Sequence, residues 1–230
     1  MERESQRAGL NGAPLIGLLS RLALLDGPST KPSFVQGLGQ WLGWADAIPL
    51  AAALAAAPSP TAHAATRPAP SAARVEAEFE RVRASLLQRI DDDGAGKRRI
   101  VAAPHDDAEP QRQRYVSLQR AMQSAIEPLR ALARAAVARR SADLQRLAAL
   151  DAMLEPVLAA REQASLGLLP TLLAQHHERL RRAAPDGAAR WKEVFRQDMH
   201  SLLRAELELR LQPVRGLIDT LQRPPQDDDE

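Results

Sequence analysis

The chain reads as an all-α protein, and three observations lead there. Apolar residues recur at spacings of three and four through most of residues 74–222. The alternating, β-branched pattern of strands is nearly absent. Ala, Leu and Arg, all strong helix formers, dominate the composition. The expected architecture is a small N-terminal helical unit over residues 1–57, an Ala/Pro-rich flexible linker over 58–73, and a helical bundle over 74–223. That bundle is expected to be built of long, proline-kinked helices with coiled-coil character, to contain a mobile loop at 91–110, and to end in an acidic tail at 224–230.

The elements follow in order. Residues 14–25 form a short apolar stretch closed by Asp26-Gly27-Pro28. Ser33 can cap a second helix running to about Trp44. Asp46 can cap a third, with Pro49 in its first turn, where a missing N–H is harmless. Residues 58–70 hold few large apolar side chains and several prolines, which is linker composition. Val75, Phe79, Val82, Leu86 and Ile90 then give a helical stripe from Arg74 onward. Asp91-Asp92-Asp93-Gly94 breaks it, ahead of the basic cluster Lys97-Arg98-Arg99.

From Gln111 nearly everything is helical. Tyr115, Leu118, Met122, Ala125, Leu129, Leu132 and Ala136 trace a coiled-coil-like seam. Ser141 caps the next helix, whose apolar face carries Leu147, Leu150, Leu154 and Val157. A stripe over 168–180 follows, and then a last long helix with Trp191, Val194, Phe195, Leu202, Leu209, Leu217 and Leu221. Pro128, Pro156 and Pro213 each follow Glu or Gln and precede Leu or Val, and each would bend its helix.

Composition excludes several chemistries. The chain has no cysteine, so disulfides, thiolate metal sites and thiol nucleophiles are ruled out. Net charge is only +2, although Arg outnumbers Lys by 28 to 3, so no strong cationic field exists. No long uncharged apolar run is present and residues 15–25 lack a cleavage site, which makes a cytoplasmic protein without membrane insertion the expectation.

Catalytic motifs are missing. Gly37, Gly39 and Gly43 have the wrong spacing for a dinucleotide fingerprint, and no Walker loop, nucleophile elbow or zinc-protease pair occurs. His176 and His177 are adjacent, so on a helix they diverge by about 100° and make a poor chelate; one is expected to be buried and the other solvated. His200 is expected to face Glu193 or Asp198. The acids at 91–93 are consecutive rather than alternating, unlike a calcium loop. No catalytic, cofactor or metal residue is assigned, and the expectation is a non-enzyme.

Two surfaces stand out. Phe34, Trp41, Trp44 and Ile48 crowd scarce bulky side chains into one helical stretch, and aromatic residues favour interface centres. They form either a small core or a docking surface. The second surface is basic: Arg112, Arg114, Arg130, Arg134, Arg139 and Arg140 lie in a stretch with few acids and could track phosphates. Local pairs such as Glu127 with Arg130 would instead leave a solvated face.

The residues 40–48, Gln-Trp-Leu-Gly-Trp-Ala-Asp-Ala-Ile, resemble the start of a proteobacterial family of unknown function, domain of unknown function number 3348. The resemblance resumes at Tyr115-Val-Ser-Leu-Gln-Arg-Ala-Met-Gln, at Leu147-Ala-Ala-Leu-Asp151-Ala-Met and at Ala159-Ala-Arg161-Glu162. It continues through Phe195-Arg-Gln-Asp198-Met and Glu206-Leu-Glu-Leu-Arg-Leu-Gln212-Pro213-Val. These are helical-face patterns. What the resemblance implies is an accessory of an envelope-associated complex, since members are often encoded beside motor-like and peptidoglycan-binding membrane proteins. The expected function is therefore a helical interaction or assembly protein, with protein partners that include membrane-complex subunits and with self-association through the 115–136 seam. The alternative is nucleic-acid association through the arginine face.

Overall fold

The computed structural model describes residues 13–22, 51, 70–92, 108–184 and 190–223. Among these the protein is all-α, with six helices and no strand. They are α1 (Ala13–Arg21), α2 (Ala72–Asp91), α3 (Glu109–Val137), α4 (Ala142–Leu166), α5 (Leu169–Ala183) and α6 (Arg190–Gln222). The chain forms two compact units. The first comprises Met1–Ser29, Arg83–Ala125 and Ala164–Gln212; the second comprises Thr30–Val82, Ile126–Gln163 and Pro213–Glu230. Of the expected 1–57 unit only residues 13–22 and Ala51 are described, and Phe34, Trp41, Trp44 and Ile48 lie outside the described residues, as does the tail at 224–230.

Helix starts follow local chemistry. Ser71 caps α2, accepting from the Arg74 amide at 3.2 Å, so the helix begins at Ala72, ahead of the expected Arg74. Ser141 caps α4 as expected, accepting from the Leu144 amide at 3.2 Å. Pro110 sits in the first turn of α3, where its missing N–H leaves no bond unmade, and Glu109 precedes it. Asp91 ends α2 and Glu109 begins α3, so the two ends of the expected loop at 91–110 are helical, and residues 93–107 between them lie outside the described residues.

Pro128, Pro156 and Pro213 all lie inside helices. Pro128 and Pro156 are exposed. Each removes one N–H from the helical ladder, leaving the carbonyls of Ser124 and Ala152 on exposed turns where water can reach them.

The first unit is cored by Leu15, Leu18 and Leu19 of α1, Leu86 and Ile90 of α2, Tyr115, Leu118 and Met122 of α3, and Phe195, Met199, Leu202, Leu203 and Leu207 of α6. The second is cored by Val75, Phe79 and Val82, by Ile126, Leu129, Ala133 and Val137, and by Val214, Leu217, Ile218 and Leu221. On α3 the buried row passes through Ile126 and Ala133, while Ala125 and Leu132 are half-buried. A strict 3.5-residue repeat drifts against the 3.6-residue helix, so one step of four replaces a step of three. Within the second unit Arg215 of α6 stacks over Phe79 at 4.1 Å and pairs with Glu76 and Glu80 at 3.0 and 3.2 Å.

Candidate functional site

Three polar clusters and one apolar row carry the chemistry of the described residues. In the first unit Glu206 is fully buried among leucines of α6. A buried carboxylate is tolerated only when its lone pairs are met. Here the Tyr115 hydroxyl donates to it at 2.7 Å, the Gln119 amide at 3.0 Å and the Arg210 guanidinium at 2.7 Å. The same Gln119 amide also donates to the Leu166 carbonyl at 3.0 Å. Burial, and then the neighbouring Glu206 charge, push the Tyr115 hydroxyl well above the ordinary tyrosine value. An uncharged phenol and a paired carboxylate make this a structural cluster that fixes register between α3 and α6.

A second cluster sits on α5. His176 and His177 are both buried, not one buried and one solvated as their divergence suggested. His176 reaches Asp198 at 2.8 Å through Nε2, and its Nδ1 lies 3.2 Å from Arg179. A guanidinium only donates, so Nδ1 accepts and Nε2–H donates to Asp198, which sets the tautomer. Asp198 thus serves His176. An Asp–His pair can activate a nucleophile only if the other ring nitrogen faces a hydroxyl or thiol. Arg179 occupies that nitrogen and donates as well to the Leu22 carbonyl at 3.1 Å, so the geometry tethers the end of α1. His177 packs edge-on against Trp191 and Phe195, with centroids 5.0 and 4.8 Å apart. A surface groove of about 770 Å³ runs along α5 past Thr171, Gln175, Glu178, Arg179 and Arg182. Glu178 is held there by Arg181 and then by Arg182, and these pairs lower its pKa to about 2. Among the described residues no group of acids and histidines has metal-binding geometry.

The third cluster lies in the second unit and involves the basic stretch. Arg130 binds Asp151 at 2.5 Å and Arg134 binds the same carboxylate at 2.9 Å, while Arg134 also pairs with Glu155. Arg130 therefore turns to α4 rather than to Glu127. Arg140 donates to the Arg223 carbonyl at 3.0 Å and to that of Leu221, closing the C-terminus of α6. Arg112 pairs with Glu109 at 2.7 Å on the surface of the first unit. Arg114 and Arg139 are half-buried. Four of the six arginines singled out from sequence thus hold internal carboxylates or carbonyls, and they divide between the two units.

Helix α4 departs most from expectation. Its row Leu147, Leu150, Leu154, Val157 was the expected buried face. The row one residue further on, Ala148, Asp151, Glu155, is the one turned to α3, as the Arg130 and Arg134 pairs show. Ala148 is 3% exposed, whereas Leu147 is 37% exposed and Leu150, Leu154 and Val157 are only half-buried. Two rows about 100° apart therefore both have the character of packing faces.

No described helix is long and apolar enough to cross a membrane. No curated protein and no solved structure matches the chain. The family described as Protein of unknown function (DUF3348) matches residues 1–223, nearly the full length, so the chain belongs to that family.

Proposed function

We propose that this chain is a non-enzymatic helical interaction protein that helps assemble a larger complex. The observation that supports this best is the second row of α4. Leu147, Leu150, Leu154 and Val157 align at spacings of three, four and three on a 25-residue helix and remain partly open. Completing their burial is worth roughly 1 kcal/mol per side chain, half the usual gain for a large aliphatic residue. An open row of this kind fits a groove-and-helix contact. The polar groups point the same way, because buried Glu206, half-buried Asp151 and Glu155, His176 and four of the stretch's arginines are engaged within their own units. That leaves less cationic surface for phosphates than the sequence suggests, and so favours a protein partner over nucleic acid. On the family resemblance, the partners are subunits of an envelope-associated complex.

The test is photo-crosslinking in the native host from a probe at Leu147 or Leu154, read by mass spectrometry against a probe at exposed Ala159. Adducts to a second protein at 147 and 154 but not at 159 support the reading. Adducts that appear equally at all three positions, or at none, overturn it.

A further inference from the structure

We infer that, in the free chain, the open row of α4 is occupied by the chain's own segment Phe34–Leu50. This rests on the reading of that row as a docking surface and names what it binds when no partner is present. A helix with packing rows on two sides, one charged and one apolar, needs two neighbours. One is α3, held by Arg130 and Arg134 through Asp151 and Glu155. The other must be apolar and nearly uncharged, because no ionisable side chain interrupts Leu147, Leu150, Leu154 and Val157 within the row.

Residues 34–50 match that requirement. They contain Phe34, Val35, Leu38, Trp41, Leu42, Trp44, Ile48 and Leu50, with Asp46 as the single ionisable side chain. Trp41 falls seven residues after Phe34 and three before Trp44, so all three aromatic rings can share one helical face. Gly39 and Gly43, four apart, would let a neighbouring helix approach closely. The tether is adequate. About twenty residues separate Leu50 from Pro70, where the described backbone resumes at the head of α2. Extended, they reach roughly 60 Å, whereas α4 is only about 37 Å long at 1.5 Å per residue. Joined through a stretch of only this length, the segment has an effective concentration near the millimolar range. A second copy of the chain at micromolar concentration competes poorly with that.

The test uses the purified full chain carrying Trp191→Phe, so that Trp41 and Trp44 are the only emitters. In this background Leu154→Asp with Val157→Asp is expected to shift tryptophan emission toward that of solvent-exposed indole, with helical circular dichroism retained and the mass in solution unchanged. The absence of cysteine allows a second measurement that does not depend on tolerance of two aspartates. With Leu38→Cys and Leu147→Cys introduced, a short bismaleimide is expected to link the two within monomers. Links found only between chains, together with loss of a dimer in the aspartate variant, would overturn the inference in favour of a second copy while leaving the docking row intact. Unchanged emission with no link of either kind and unchanged association would overturn both the inference and the row's assignment as a docking surface.

Discussion

The Tyr115 hydroxyl donates a 2.7 Å hydrogen bond to the Glu206 carboxylate across 91 residues of sequence, and neither side chain reaches solvent. The pair joins α3 to α6 within the first unit, and its energetics are asymmetric. Removing one partner leaves the other buried and short of a bond, which costs more than the intact bond contributes. Glu206→Leu should destabilise the first unit by about 3 kcal/mol, because Arg210 and Tyr115 both lose their acceptor. Tyr115→Phe, which leaves Gln119 and Arg210 in place, should cost about 1–2 kcal/mol. Chemical denaturation followed by circular dichroism measures both, and equal losses would contradict the cluster as described.

The same pair sets an alkaline limit. The Tyr115 proton is held more tightly in the folded chain than in the unfolded chain, where tyrosine releases it near pH 10. The unfolded state therefore binds fewer protons above that pH, and stability falls as pH rises past about 10. Below it, this group contributes no pH dependence. Tyr115→Phe should flatten that part of the stability curve between pH 9.5 and 11.5, an outcome read from urea midpoints at each pH.

Asp151 receives both Arg130 and Arg134, and its side chain is only 13% exposed. Asp151→Ala should destabilise the second unit by about 2 kcal/mol, more than a surface pair would. In a double-mutant cycle Asp151→Ala and Arg134→Ala should be strongly non-additive, whereas Arg112→Ala, whose pair with Glu109 is surface-exposed, should leave the denaturation midpoint unchanged.

Arg179 links His176 to the Leu22 carbonyl. Arg179→Ala should loosen the C-terminal end of α1 by about 1 kcal/mol. Hydrogen exchange at residues 18–22 should quicken severalfold, while amides in the middle of α6 keep their protection.

Gly17 in α1 and Gly216 in α6 have open space where a β-carbon would sit. Glycine inside a helix costs about 0.8–1 kcal/mol relative to alanine. Gly17→Ala and Gly216→Ala should each stabilise by nearly that amount, raising the melting temperature by roughly 2–4 °C in a chain of this size. A fall in melting temperature would mean that a close neighbour sits where the structure shows none.

Much of the fold was legible because helices declare themselves locally. The Ser141 cap, the stripe from Val75 to Ile90 and the prolines at 128, 156 and 213 depend on residues within a few positions of one another. The polar sites were not legible, because their partners are distant in sequence. Arg130 had a ready candidate in Glu127, three residues away, yet it pairs with Asp151 and Glu155, more than twenty residues on. Glu206 carried the one sequence signal that could have been used: an acid placed within a leucine row, which demands a buried donor. Naming Tyr115 as that donor required three dimensions.

Helix α4 marks the boundary between the two kinds of information. Its sequence contains both rows, and by hydrophobicity Leu147, Leu150, Leu154 and Val157 are the natural inward face. Which row turned to α3 was decided by two arginines on that helix, whose charges must be met once half-buried. Periodicity establishes that a residue lies on a helix and on which side. It cannot establish which neighbour that side meets, because the choice depends on burial and pairing energies shared among residues far apart in the chain.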